Sequence, residues 1–229
     1  MPKTWLITGH SSGIGLEISM AALSRSDTVI ATSRTPETHL SDLTTCGATT
    51  LKLYLTSPYS ENASVVTEVL RQHENIDTLV NVAGYLLEGS VEETKEEETE
   101  HSYKTNLLAG VVTNVAGIGA LWGAAAAEYF CASEAALRAV TEVLRAEVAA
   151  RRIEVCCVML GYFRTIFGSG ASACCSGRIN EYKDGFSAFH GRQLRGPVKA
   201  GNVIVKVLAG DGGLGVPAVL PVGGRCLRR

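Results

Sequence analysis

Residues 3–15 read KTWLITGHSSGIG, and this stretch decides the fold. Trp5–Thr8 is an apolar run of strand length, and a helical pattern over Gly15–Ser24 follows the turn Gly9-His10-Ser11-Ser12-Gly13-Ile14-Gly15. In such a turn Gly9 lets the chain reverse sharply, Gly13 lets the backbone approach a pyrophosphate, and Gly15 lets the helix pack on the sheet. The free N–H groups of the first helical turn then face the anion. A glycine triplet alone is weak. Between a first strand and a helix it assigns Gly9, Ser11, Ser12, Gly13, Ile14 and Gly15 to a nucleotide cofactor.

Outward from this stretch, strands and helices alternate. Further strand-like runs lie at Thr28–Thr32, Thr50–Leu55, Thr78–Val82, Val111–Val115 and Ile153–Leu160. Helical patterns lie at Asn62–Gln72, Lys95–Leu108 and Ala132–Ala150. The alternation predicts an α/β fold, a single doubly wound parallel sheet of Rossmann-like type in one domain over residues 1–229. No internal repeat and no Pro/Ser-rich linker divides the chain. The acidic run Glu92–Glu100 reads as a helix N-terminus capped by Thr94, since negative charge there complements the helix dipole.

Composition narrows the class. Hydrophobic residues at 46% and charged residues at 19% describe a globular chain. A formal net charge of −2 gives no basic surface for nucleic acid. The seven cysteines, two pairs of them adjacent (Cys156-Cys157 and Cys174-Cys175), show no CxxC spacing and read as reduced thiols of a cytoplasmic protein. No signal peptide is evident. Residues 105–127 carry no charge, but Thr113, Asn114 and four glycines argue against a membrane span. The five histidines (His10, His39, His73, His101 and His190) show no metal-ligand spacing and read as surface or loop residues.

The second strand ends in Ala31-Thr32-Ser33-Arg34. An acidic residue here would bind a ribose 2′-hydroxyl, whereas Arg34 suits a 2′-phosphate and favours NADP(H) over NAD(H). A solvated loop arginine is the alternative.

Most of the chain resembles the short-chain dehydrogenase/reductase family. Thr8–Gly15 matches its TGxxxGxG turn, and Asn81-Val82-Ala83-Gly84 matches its NNAG motif with Val82 in place of the second asparagine. Asn106, in KTNLLAG, matches the helix asparagine that holds a structural water for the proton relay. GYFRT, Gly161–Thr165, looks like the loop whose threonine touches the carboxamide, so the resemblance adds Asn81 and Thr165 to the cofactor residues. LEGSVEETKEEE, residues 87–98, resembles fungal or bacterial small-molecule reductases. The substrate this implies is a small lipophilic or polyketide-like carbonyl compound. Residues 169–195 stand where a substrate lid would be.

The departures fall on the chemistry. Register from Asn114 puts the family's catalytic serine at Gly117, its tyrosine at Phe130 and its lysine at Glu134, where ASEAAL replaces ASKAAL. Carbonyl reduction needs a proton donor at the developing alkoxide, and losing one such group costs about two to four orders of magnitude. Tyr129 is the candidate substitute, although on a helix it points about 100° away from its neighbour's direction. Catalytic candidates are therefore Asn106 and Tyr129. Tyr54 replaces an aspartate that contacts adenine, and Leu160 replaces a proline.

Only seven residues separate Asn106 from Asn114, so the return helix is shortened, and Gly110 must turn abruptly. That predicts a sheet incomplete relative to the family and a homo-oligomer interface that is weakened. Gly9-x-Ser11-x-Gly13 also satisfies the GxSxG pattern of a hydrolase elbow, without an oxyanion loop to match. Three functional readings stay open: an NADP(H)-binding pseudoenzyme or non-redox enzyme, an active NADP-dependent carbonyl reductase or alcohol dehydrogenase, and a non-functional truncated product.

Overall fold

The computed structural model describes residues 1–107, 113–165, 172–174 (backbone), 179, 196–211, 213 and 215–223. Strand β1 (Thr4–Thr8) lies beside β2 (Thr28–Ser33), followed outward by β3 (Thr49–Lys52). On its other side come β4 (Thr78–Asn81), β6 (Thr113–Gly117), β7 (Cys156–Leu160) and β9 (Val219–Val222). The seven strands are parallel in the order β3-β2-β1-β4-β6-β7-β9. A two-stranded parallel pair, β5 (Leu86–Glu88) with β8 (Ser172–Cys174), stands apart.

The helices are α1 (Gly13–Leu23), α2 (Pro36–His39), α3 (Ser41–Thr45), α4 (Tyr59–His73), α5 (Glu96–Asn106), α6 (Glu128–Val148) and α7 (Val198–Leu208). Because both faces of a parallel sheet are covered, its strands carry apolar residues toward both sides, as in Trp5-Leu6-Ile7 of β1 and Val29-Ile30-Ala31 of β2. Trp5, Ile7, Ile18, Val158 and Ile204 form the core on the α1/α7 face, and Leu6, Ile30 and Val69 on the α4 face. The Trp5 indole N–H donates to Asp27 Oδ2 at 3.0 Å, which satisfies the one polar atom this buried ring brings in.

The doubly wound parallel sheet is as expected, with corrections at its margins. β9 and α7 lie beyond the predicted elements. Pro221 fits β9 because that strand is the sheet edge, where a missing N–H leaves no ladder bond broken. Thr94 does not cap α5: its hydroxyl donates to the Ser90 carbonyl at 3.0 Å. Lys95 holds the cap position, and its N–H donates to Glu98 Oε2 at 2.9 Å. The 11 residues of α5 rise about 16 Å, which matches the span of about 17 Å of the 5 residues of β6. The turn at Gly110 lies outside the described residues, as does most of 169–195. Among the described residues, no helix is long and apolar enough to cross a membrane.

Candidate functional site

The chain reverses sheet direction between β1 and β4, and the β1–α1 turn sits at that switch point, where open α/β sheets form a crevice. Gly9 has φ +75°, and a Cβ there would lie 2.5 Å from the Ala83 nitrogen. The exit of β4 therefore packs directly on the turn. Thr8 fastens the two, its Oγ1 accepting from the N–H groups of Val82 and Ala83 at 3.3 Å each. A Cβ on Gly15 would lie 2.2 Å from the Gly9 carbonyl oxygen, so Gly15 lets the turn close on itself, which replaces the expected helix-on-sheet role. At the N-cap of α1, Ser12 is extended and caps nothing with its side chain, and no acidic residue occupies the first turn. The positive end of the helix is left facing the crevice.

That crevice is a cavity of about 830 Å³. Gly9, Ser11, Ser12, Gly13, Ile14, Gly15, Arg34, Asn81, Asn106 and Thr165 all line it. Arg34 is exposed at one end, near Tyr54, and takes part in no ion pair among the described residues. His10, expected as a surface or loop residue, lies in the loop between β1 and α1 but is only 1% exposed. The turn folds its ring toward β2, where Nδ1–H donates to the Thr32 carbonyl at 3.3 Å. Burial, partly offset by that bond, lowers its pKa to about 4, so the ring is neutral at pH 7. His39 and His101 also line the cavity.

At the other end, Asn106 Nδ2 donates to the Tyr85 carbonyl at 2.9 Å, and its Oδ1 accepts from the Tyr85 N–H at 3.0 Å. The amide thus fixes the backbone that follows β4. A second line crosses the sheet: Asn81 Nδ2 donates to Asn114 Oδ1 at 3.2 Å, and Asn114 Nδ2 to Thr141 Oγ1 at 2.8 Å. Gly117, Phe130 and Glu134 converge on one point. A Cβ on Gly117 would lie 3.4 Å from Glu134 Oε2 and 3.9 Å from Phe130 Cζ. Glu134 is 6% exposed, and its Oε2 accepts a hydrogen bond from the Gly117 N–H. Burial pushes this carboxyl up to about 7, against the pull of that N–H.

The short chain dehydrogenase family profile matches residues 3–116. The oxidoreductase claN of Passalora fulva is 30% identical over 74% of this chain and 86% of its own. A short-chain dehydrogenase from Streptomyces avermitilis, solved by crystallography, superposes with a TM-score of 0.85 at 31% identity, over 99% of this chain and 90% of that one. The chain belongs to the short-chain dehydrogenase/reductase family. The fold is shared more widely: ElxO with NADP bound superposes with a TM-score of 0.77 at 23% identity, each chain covered in full.

Within this short-chain dehydrogenase/reductase, the structure separates the two catalytic candidates. Asn106 lines the cavity; Tyr129 is not among its lining residues, whereas Phe130 is. Helix α6 is already regular from Glu128, so the two side chains diverge by about 100°, and Phe130 is the one turned to the cavity. The hydrolase reading finds no support, because Ser11 is exposed and hydrogen-bonds no described histidine. The residue that sequence reasoning underrated is Glu134. Its charge inversion was visible, but its burial beside Gly117 needed the packing of α6 on β6.

Proposed function

We propose that this protein binds NADP(H) in the cavity and lacks the tyrosine–lysine proton transfer that the family resemblance implies. The observation that carries this reading is a single cavity that joins the uncapped N-terminus of α1 and Arg34 to the Gly117–Phe130–Glu134 cluster. The residues fit the cofactor. The α1 N-terminus and the Ser11–Gly13 backbone would hold the pyrophosphate, and Arg34 the 2′-phosphate, as a charge-assisted pair. Asn81 and Thr165 line the path toward the nicotinamide. When bound, the cofactor supplies hydride chemistry. The chain itself orients it, excludes water, and brings a carboxyl rather than a phenol to the reacting end. The NADP named for ElxO supports the choice of cofactor. A small carbonyl compound is the substrate class, entering past the half-exposed Trp122 and Tyr162.

The test is titration of the purified chain with NADPH and NADH, followed by nicotinamide fluorescence. Saturable binding with NADPH preferred is expected. Binding of neither, by a chain that melts cooperatively, would overturn the reading.

A further inference from the structure

The Glu134 carboxyl has a position that its place in the sequence did not announce. It reaches from α6 into the space a side chain at 117 would fill, 3.4 Å from where that Cβ would be. One oxygen, Oε2, is committed to the Gly117 N–H. The other, Oε1, has no protein partner among the described residues, and Glu134 lines the cavity. A carboxyl so held is oriented by one oxygen and free to exchange a proton at the other.

We propose that Glu134 is the proton donor of this cavity: its Oε1 faces the oxygen of a bound carbonyl compound and protonates it as the carbonyl carbon is reduced. The proposal rests on the NADP(H) reading. The carbonyl carbon gains the hydride that a dihydronicotinamide supplies when bound, the C=O π bond opens, and the oxygen takes the Oε1 proton. Glu134 is left as a carboxylate, which regains its proton from water, and the nicotinamide is left oxidised. The alcohol is the product.

The surroundings support a group that changes charge near neutrality. Burial raises the carboxyl to about 7, and no described charged group contributes to that shift. The elements packed against α6 bring few ionisable groups to it. The Cys131 thiol of α6 and the Cys157 thiol of β7 both feel Glu134, and burial raises both, so they stay protonated. Arg138 and Glu142, also on α6, pair with each other at 3.4 Å. Helix α5 brings His101 to the cavity, while its Lys104 is engaged with Glu100 at 2.7 Å. β5 carries Glu88 as its one ionisable side chain, and β6 carries none.

The experiment uses the full chain, wild type and Glu134→Gln, with Glu134→Asp as a second variant that keeps an acid. NADPH affinity is measured first. A wild type that does not bind NADPH takes down the cofactor reading and this proposal together. With binding established, infrared difference spectra of wild type minus Glu134→Gln are recorded from acid to alkaline pH. A protonated-carboxyl band that fades with a midpoint near 7 is expected. Reduction of phenanthrenequinone by NADPH should slow in the wild type as pH rises through that midpoint. In Glu134→Gln it should fall about 100-fold or more and lose this pH dependence. If Glu134→Gln does not fold, the wild-type pH profile and the altered band position of Glu134→Asp carry the test. A carboxyl ionised at every pH, no reduction by wild type at acid pH, or unchanged reduction by Glu134→Gln would each overturn the proposal and leave the cofactor reading standing.

Discussion

At the Thr8–Gly15 end of the cavity the shape is set by backbone: a positive-φ glycine pressed on Ala83, a carbonyl pressed on Gly15, and a helix end left uncapped. At the Gly117–Glu134 end it is set by side chains that meet across α6 and β6. The two ends differ in what a substitution does to them. A Cβ at Gly9 or Gly15 collides with main chain, so change there is paid in folding. Gly117, Phe130 and Glu134 pack together without the groups the family resemblance places there, and the sheet and its helices stand around them.

The sharpest way to break this comparison is to restore those groups. Gly117→Ser, Phe130→Tyr and Glu134→Lys together should raise NADPH-dependent carbonyl reduction at alkaline pH by about two to four orders of magnitude, followed by nicotinamide absorbance. A triple variant no faster than wild type would mean that the surrounding cavity, and not three side chains, has diverged. At the opposite end, Gly9→Ala places a Cβ 2.5 Å from the Ala83 nitrogen at φ +75°. It should cost more than about 3 kcal/mol of stability, read as a shifted urea midpoint.

The buried carboxyl gives a pH signature. Its folded pKa of about 7 lies above the 4.5 of an exposed glutamate, so the folded chain holds a proton between these values that the unfolded chain has lost. The stability this contributes is complete below about 4.5 and is lost as pH rises through about 7. Relative to wild type, Glu134→Gln should therefore gain roughly 3 kcal/mol between acid and alkaline pH, the worth of a carboxyl moved from 4.5 to about 7. Urea midpoints of the two proteins at both extremes check this, and parallel pH dependence would contradict it.

Arg34→Ala should weaken NADPH about 10- to 100-fold, the worth of a charge-assisted contact, and leave NADH unchanged. Equal loss for both cofactors would remove Arg34 from 2′-phosphate recognition. The smallest effect is expected where the two ends are joined. Thr141→Val leaves the buried Asn114 Nδ2 without its 2.8 Å acceptor and should cost about 1–2 kcal/mol by urea denaturation.

Much of the nucleotide end was legible because its signals are local. The glycine spacing, the preceding apolar strand and Arg34 at the end of β2 all act within a few residues, and every cofactor residue read from sequence lines the cavity. His10 is a loop residue as read, but its burial was not legible because it follows from contact with Thr32, 22 residues away. The element α7 went unseen because Gly201 and its Val/Ile content weaken the helical signal. The structure explains that glycine, since a Cβ there would lie 2.6 Å from the Glu17 carbonyl on α1. β9 is only 4 residues long and contains Pro221, so its strand character depends on pairing with β7.

The sequence by itself determined the α/β alternation, the glycine turn and the absence of serine, tyrosine and lysine at 117, 130 and 134. These follow from residue type and short-range spacing, which the chain carries without folding. Only the tertiary structure decided that Phe130 and not Tyr129 lines the cavity, and that Glu134 is a buried acid poised near neutrality and not a surface carboxylate. Both depend on the rotation of α6 against β6, fixed by long-range packing, and that packing removes the carboxyl from water and so sets its charge.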